Sequence, residues 1–198
     1  MKFDYSKSWN KLEEIFSSDF GVNEKWDQII DFHESLFPET NWSAIRQVNI
    51  TAESNEIKEW LEKLVTEKPF NFETVAFWIG LTKFLDEQTE KEFYVIYLTG
   101  CKNYEINEIE WATDPNYIPE NSYFSLDFLN KIDNIIFEDK NYSFLDWILP
   151  ICAGSFVLDD IIKCKLDLEK FLKYKDKMFV TFGFDDGDYI PLTPLRKE

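Results

Sequence analysis

The residues able to do chemistry are few, and most are spaced for packing or turning. His33 is the single histidine, so any Ser-His-Asp or Cys-His relay must pass through it. It shares a helical stripe with Ile29, Ile30 and Phe37, which predicts a hydrogen-bonded core histidine. Asp185, Asp186 and Asp188 surround Gly187 and offer carboxylate oxygens to a hard cation. They lack EF-hand spacing, and Asp-Gly is what a tight hairpin turn demands. Asp159 and Asp160 are adjacent on a predicted helix and diverge by about 100°, a poor geometry for an acid–base pair. Glu56-Ile57-Lys58 matches a carboxylate–any–lysine fragment found in nucleases, but Ile57 faces inward and the surroundings are acidic. Cys101, Cys152 and Cys164 are widely spaced, form no CxxC and have one histidine to assist. They read as reduced, buried thiols rather than zinc ligands. Phosphate-cradling glycine loops, HExxH and GxSxG are absent from the sequence. No catalytic residue, metal or cofactor is assigned on these grounds.

Charge narrows the function classes further. The 198 residues include 38 acidic and 21 basic side chains, a formal net charge of −17. Nucleic-acid binding needs lysine and arginine to displace counterions from phosphates, and anionic membranes ask for the same charges. Both partners are excluded as expectations. A basic protein would be drawn in by such a field. Disorder is excluded too, because 7 Trp, 9 Tyr and 19 Phe are present. The start of the chain has no apolar signal-like stretch. The apolar run from Ile148 to Leu158, broken by Pro150, is too short for a membrane span, which takes about 20 residues. A cytoplasmic protein of one domain, 1–198, is expected.

The elements that must position these residues follow from periodicity. Helices are predicted over Ser6–Phe20, from Asn23 to Pro38, over Glu53–Val65, Ser125–Ile136, from Ser143 to Pro150, over Cys152–Lys163, and after Asp167. Ala44–Ile50 and Glu108–Ala112 read as short strands. Val75–Leu85 and Phe93–Thr99 are long runs rich in β-branched and aromatic residues, which predicts an antiparallel hairpin of central strands covered on both faces. Met178–Phe184 and Tyr189–Leu192 flank the Asp-Gly turn as a second hairpin. Helices, hairpin, helices and hairpin add up to an α+β fold with a mostly antiparallel sheet.

The segment Thr113–Tyr123 is the most loop-like in the chain. It combines Asp114, Tyr117, Glu120 and Tyr123 with two prolines, and tyrosine gives contact area at low entropic cost. With Asp185, Asp186 and Asp188, these are the expected partner-binding residues; surface packing of the tyrosines is the competing reading. In kind, the chain resembles the small cytoplasmic immunity proteins that accompany bacterial polymorphic toxins. The likeness rests on a single acidic domain, abundant aromatics, no catalytic signature, and the turn Phe184-Asp185-Asp186-Gly187-Asp188-Tyr189. It implies a stoichiometric inhibitor that occludes a basic partner such as a toxin domain. Two alternatives stay open: an enzyme with a carboxylate/tyrosine site acting on a small molecule, and a nucleic-acid mimic with carboxylates in regular rows.

Overall fold

The computed structural model describes residues 4–185 and 187–197. Seven α-helices and five strands are present among them: α1 (Tyr5–Phe16), α2 (Val22–Leu36), α3 (Trp42–Arg46), α4 (Ser54–Glu67), β1 (Ala76–Asp86), β2 (Lys91–Cys101), β3 (Tyr123–Ser125), α5 (Asp127–Ile136), α6 (Tyr142–Cys164), α7 (Leu168–Phe171), β4 (Lys177–Phe184) and β5 (Tyr189–Arg196). The fold is α+β. The chain divides into two compact units, one formed by residues up to Glu53 with Asp127–Val157, the other by Ser54–Leu126 with the chain from Leu158 onward. Among the described residues no helix is long and apolar enough to cross a membrane.

The first unit is helical, and buried polar groups key its helices together. His33 is fully buried on α2. Its Nδ1 lies 2.9 Å from the carbonyl of Ile29 and its Nε2 3.1 Å from Ser8 Oγ on α1. A neutral ring that donates from Nδ1 and accepts the Ser8 hydroxyl proton at Nε2 satisfies both partners. Burial lowers the imidazole pKa from 6.5 to about 4 against the opposing pull of the Ile29 hydrogen bond. Arg46 at the end of α3 fans out over α2, reaching Asp31 at 2.7 Å, Asp27 at 3.0 Å and Glu34 at 3.3 Å. Glu53 caps α5 from far away in sequence, accepting from the N–H groups of Phe128 (2.8 Å) and Asp127 (3.2 Å). Those groups are orphan donors of a helix start and need such a partner.

The second unit is built on a five-stranded sheet of order β3-β2-β1-β4-β5. The hairpins β1–β2 and β4–β5 are antiparallel as their sequences predict, while β1 and β4 pair in parallel. One face carries Phe77, Ile79 and Leu81 of β1, with Ile96, Leu98, Val180 and Phe182 beside them in register. Phe77 meets Phe171 of α7, and Trp60 of α4 meets Phe124 of β3. Helices α4 and α7 are tied by Glu62, whose carboxylate takes Lys170 Nζ at 2.8 Å, Lys58 Nζ at 2.9 Å and the Asp167 N–H at 3.0 Å. Burial works to raise the Glu62 pKa, but these three donors outweigh it and hold the group at about 2. The edge strand β5 contains Pro191 and Pro194, which have no N–H to offer a further strand.

Four expectations need correction. Ala44–Ile50 is not a strand. Asn41 caps a helical turn by accepting from the Ala44 N–H, and the buried residues Trp42 and Ile45 are three apart. Glu108–Ala112 forms a 3-10 turn (Ile109–Ala112), held by the Glu110 carbonyl and anchored by one buried side chain, Trp111. Pro150 does not end a helix but lies inside α6, whose residues from Ile148 to Leu158 are all buried. Tertiary burial of that stretch overrides the missing proline N–H. Tyr123–Ser125 pairs with β2 as a strand, where the sequence suggests only a loop and a helix start.

Stability should fall as pH drops through the His33 window. Between pH 6.5 and about 4 the unfolded chain binds a proton at His33 that the folded chain refuses. The full loss is about 3 kcal/mol by pH 4. Urea unfolding of wild type and His33→Gln at neutral pH and at pH 4 should show their stability difference shrinking by about that amount. A difference independent of pH would contradict a buried neutral histidine.

Candidate functional site

The opposite face of the sheet in the second unit is only partly covered, and its shape is set by two glycines. Along this face run Ala76, Trp78, Gly80, Thr82 and Phe84 of β1, with Cys101, Thr99 and Tyr97 of β2 opposite the first three. Thr181 and Gly183 of β4 lie opposite Trp78 and Gly80 on the other side. A Cβ at position 80 would overlap the Tyr97 ring. With hydrogen there instead, the ring lies across β1, and its O–H reaches over to donate to Asp185 Oδ1 just past the end of β4. Gly183 does the same for Trp78, since a Cβ at 183 would fall 2.7 Å from Trp78 Cη2. The two rings thus lie on backbone rather than standing up from the sheet.

One end of this face is roofed by the long β2–β3 connection. Trp111 packs edge-on against Trp78 at 6.3 Å, and Tyr104 stacks on Phe179 at 4.2 Å with the planes 6° apart. Tyr189 also meets Trp78 at 6.3 Å and donates its hydroxyl to the Ile106 carbonyl at 3.1 Å. The burial expected on both faces of β1 holds from Ala76 to Leu81 and fails from Thr82 onward. Beyond the roof lies a groove of about 580 Å³. Trp78 and Tyr97 contribute its floor, Phe84 and Tyr123 its aromatic wall, and Thr113, Pro115 and Asp185 parts of its rim. Phe84 and Tyr123 are in ring contact at 4.9 Å, and Tyr123 reaches Tyr97 at 5.8 Å. This size matches sites that hold a drug-sized ligand or a short peptide segment.

Acidic side chains dominate the sequence of the roof. The roof segment, residues 103–121, holds Glu105, Glu108, Glu110, Asp114 and Glu120 and no lysine or arginine. Burial raises the Tyr189 pKa, and the charges of Glu110, Glu105 and Glu108 raise it further, so all three carboxylates act on that hydroxyl. Tyr97 is pushed far above the usual phenol range by burial, then by its hydrogen bond to Asp185 and the Asp185 charge. It therefore keeps its proton and acts as a fixed donor. Among the described residues, no group of three or more His, Cys, Asp or Glu side chains is placed to hold a metal ion.

The expected site residues divide. Tyr123 and Asp185 line the groove. Asp188 is exposed in the same turn, and Asp114 is exposed between the groove-lining Thr113 and Pro115. Asp186 lies outside the described residues. Tyr117 points inward: it is 3% exposed, meets Phe70 ring to ring at 4.4 Å and donates to the Lys68 carbonyl at 2.6 Å. Its backbone bridges Gly100, so it pins the roof. Glu120 lines a separate cavity of about 320 Å³ with Leu64, Glu67 and Lys68. Cys101 and Cys152 are buried as expected, but Cys164 is exposed near the end of α6.

Trp78, Phe84 and Tyr97 were hidden in runs that read as plain core. The legible sign was small or polar residues recurring on one face, Gly80 and Thr82 beside Thr99. No protein-family model, curated protein or solved structure matches the chain.

The Gly80 contact can be tested alone. Gly80→Ala should displace the Tyr97 ring, break its bond to Asp185 and cost about 1–3 kcal/mol. Chemical denaturation with tyrosine-ring NMR checks both parts. Wild-type stability with an unmoved Tyr97 ring would contradict the close approach.

Proposed function

We propose that the protein is a binding module for a basic protein, acting as an immunity-type inhibitor that occludes a partner such as a toxin domain. The observation that carries this reading is the aromatic groove with Asp185 on its rim, beside a roof segment whose Glu105, Glu108 and Glu110 act on Tyr189. Aromatic rings supply burial energy at an interface centre, and a surrounding field of one sign speeds encounter with an opposite partner. The −17 net charge extends that field over the whole chain.

A second reading, an enzyme with a carboxylate/tyrosine site for a small molecule, draws on the same Tyr97–Asp185 pair. The raised Tyr97 pKa argues for a positioned donor instead of a proton acceptor at neutral pH. The same hydroxyl therefore serves a binding site better than a catalytic one.

Tagged wild type and the double variant Asp185→Asn/Tyr123→Ala should be recovered from the native host at low and high salt. The reading expects a stoichiometric basic protein on the wild type, released by salt, and retained roughly tenfold less by the variant. Equal retention by both proteins, or no retained protein at either salt, would contradict it.

A further inference from the structure

Elsewhere in the chain, several aromatic rings carry a lysine over one face. Lys25 lies over Phe16 at 5.4 Å, Lys83 over Tyr94 at 4.5 Å, Lys68 over Tyr117 at 5.7 Å and Lys177 over Phe179 at 4.0 Å. Among the described residues, no lysine or arginine lies over Phe84, Tyr97 or Tyr123. Among the described residues, the Asp185 carboxylate takes one side-chain hydrogen bond, from Tyr97 to Oδ1, and none to Oδ2. The groove thus holds aromatic faces and a carboxylate pinned by Tyr97, with no lysine or arginine over those faces among the described residues.

We propose that this groove seats the guanidinium of a single arginine on a loop of the basic partner, stacked on the rings of Phe84, Tyr97 and Tyr123 and bonded to Asp185. The assignment rests on the partner-binding reading above and names what that partner inserts. Arginine fits better than lysine for three reasons. Its head is planar and can stack on a ring, it is weakly hydrated and gives up water readily, and its N–H groups fork toward a carboxylate. A charge-assisted bond to Oδ2 would complete the Asp185 hydrogen bonding without disturbing Tyr97. The roof carboxylates add attraction at longer range, and the half-open groove admits a loop from the Tyr123 side, where that ring is 54% exposed.

The test is an NMR titration with three blocked tripeptides, Gly-Arg-Gly, Gly-Lys-Gly and Gly-citrulline-Gly. Citrulline keeps arginine's shape and loses its charge. The arginine peptide should shift the Trp78 indole and the Tyr97 and Tyr123 ring signals, and citrulline should bind about tenfold more weakly. Asp185→Asn, a change in an exposed turn, should erase the difference between arginine and citrulline. Tyr123→Ala should weaken both peptides while keeping the difference. Equal binding of arginine and citrulline to wild type, shifts confined to residues outside the groove, or no shift at saturation would overturn the arginine seat. A salt-released protein partner with no peptide discrimination overturns the seat and leaves the binding-module reading standing. Peptide discrimination with no retained protein supports the seat and overturns the module reading.

Discussion

The missing side chain at position 80 decides the shape of the second unit's open face. Because Gly80 carries only hydrogen, the ring of Tyr97 can lie across the central strand and reach Asp185 just past the end of β4. The contact joins three strands, β2 through the ring, β1 beneath it and β4 through the carboxylate at its end. The Asp185 turn is tied to the sheet instead of projecting freely, and a trough remains where upright side chains would have filled the face. Gly183 repeats the device for Trp78 one strand over. Glycine in a strand interior weakens the strand, so two opposite each other in register mark a place where close approach outweighs that cost.

Acidity acquires a location from this arrangement. A net charge of −17 alone is compatible with simple solubility. Many carboxylates have partners within the chain: Glu62 joins α4 to α7, Glu53 caps α5, and the exposed Asp27, Asp31 and Glu34 share Arg46. The acids of residues 103–121 differ. Glu105, Glu108, Glu110 and Asp114 sit on an irregular segment beside an aromatic groove, in a stretch of sequence with no basic residue. Charge placed there favours an incoming cation, whereas charge at Glu62 favours folding.

Local signals are legible in this sequence, and distant pairings are not. Asp-Gly announced the β4–β5 turn, and the helical stripe through His33 announced its burial, because both are encoded within a few residues. The parallel pairing of β1 with β4 joins segments separated by most of the second half of the chain, and no local pattern encodes it. α6 shows the same limit, since Pro150 is a local stop signal overruled by burial along the whole stretch. The site suffered similarly. Asp185 and Tyr123 were visible as turn and loop residues, and Tyr117 was visible but points inward to hold the roof. Tyr97 and Trp78 were indistinguishable from core until register placed each against a glycine.

The central claim is that the groove face of the sheet, and no helical surface, receives the basic partner. Backbone chemical-shift mapping of the labelled protein against its co-purified partner tests this most directly. The account predicts perturbations concentrated in Trp78–Phe84, Tyr97–Thr99, the 103–123 segment and the turn before Tyr189. Perturbations confined to the helices of the first unit, with that face silent, would contradict it.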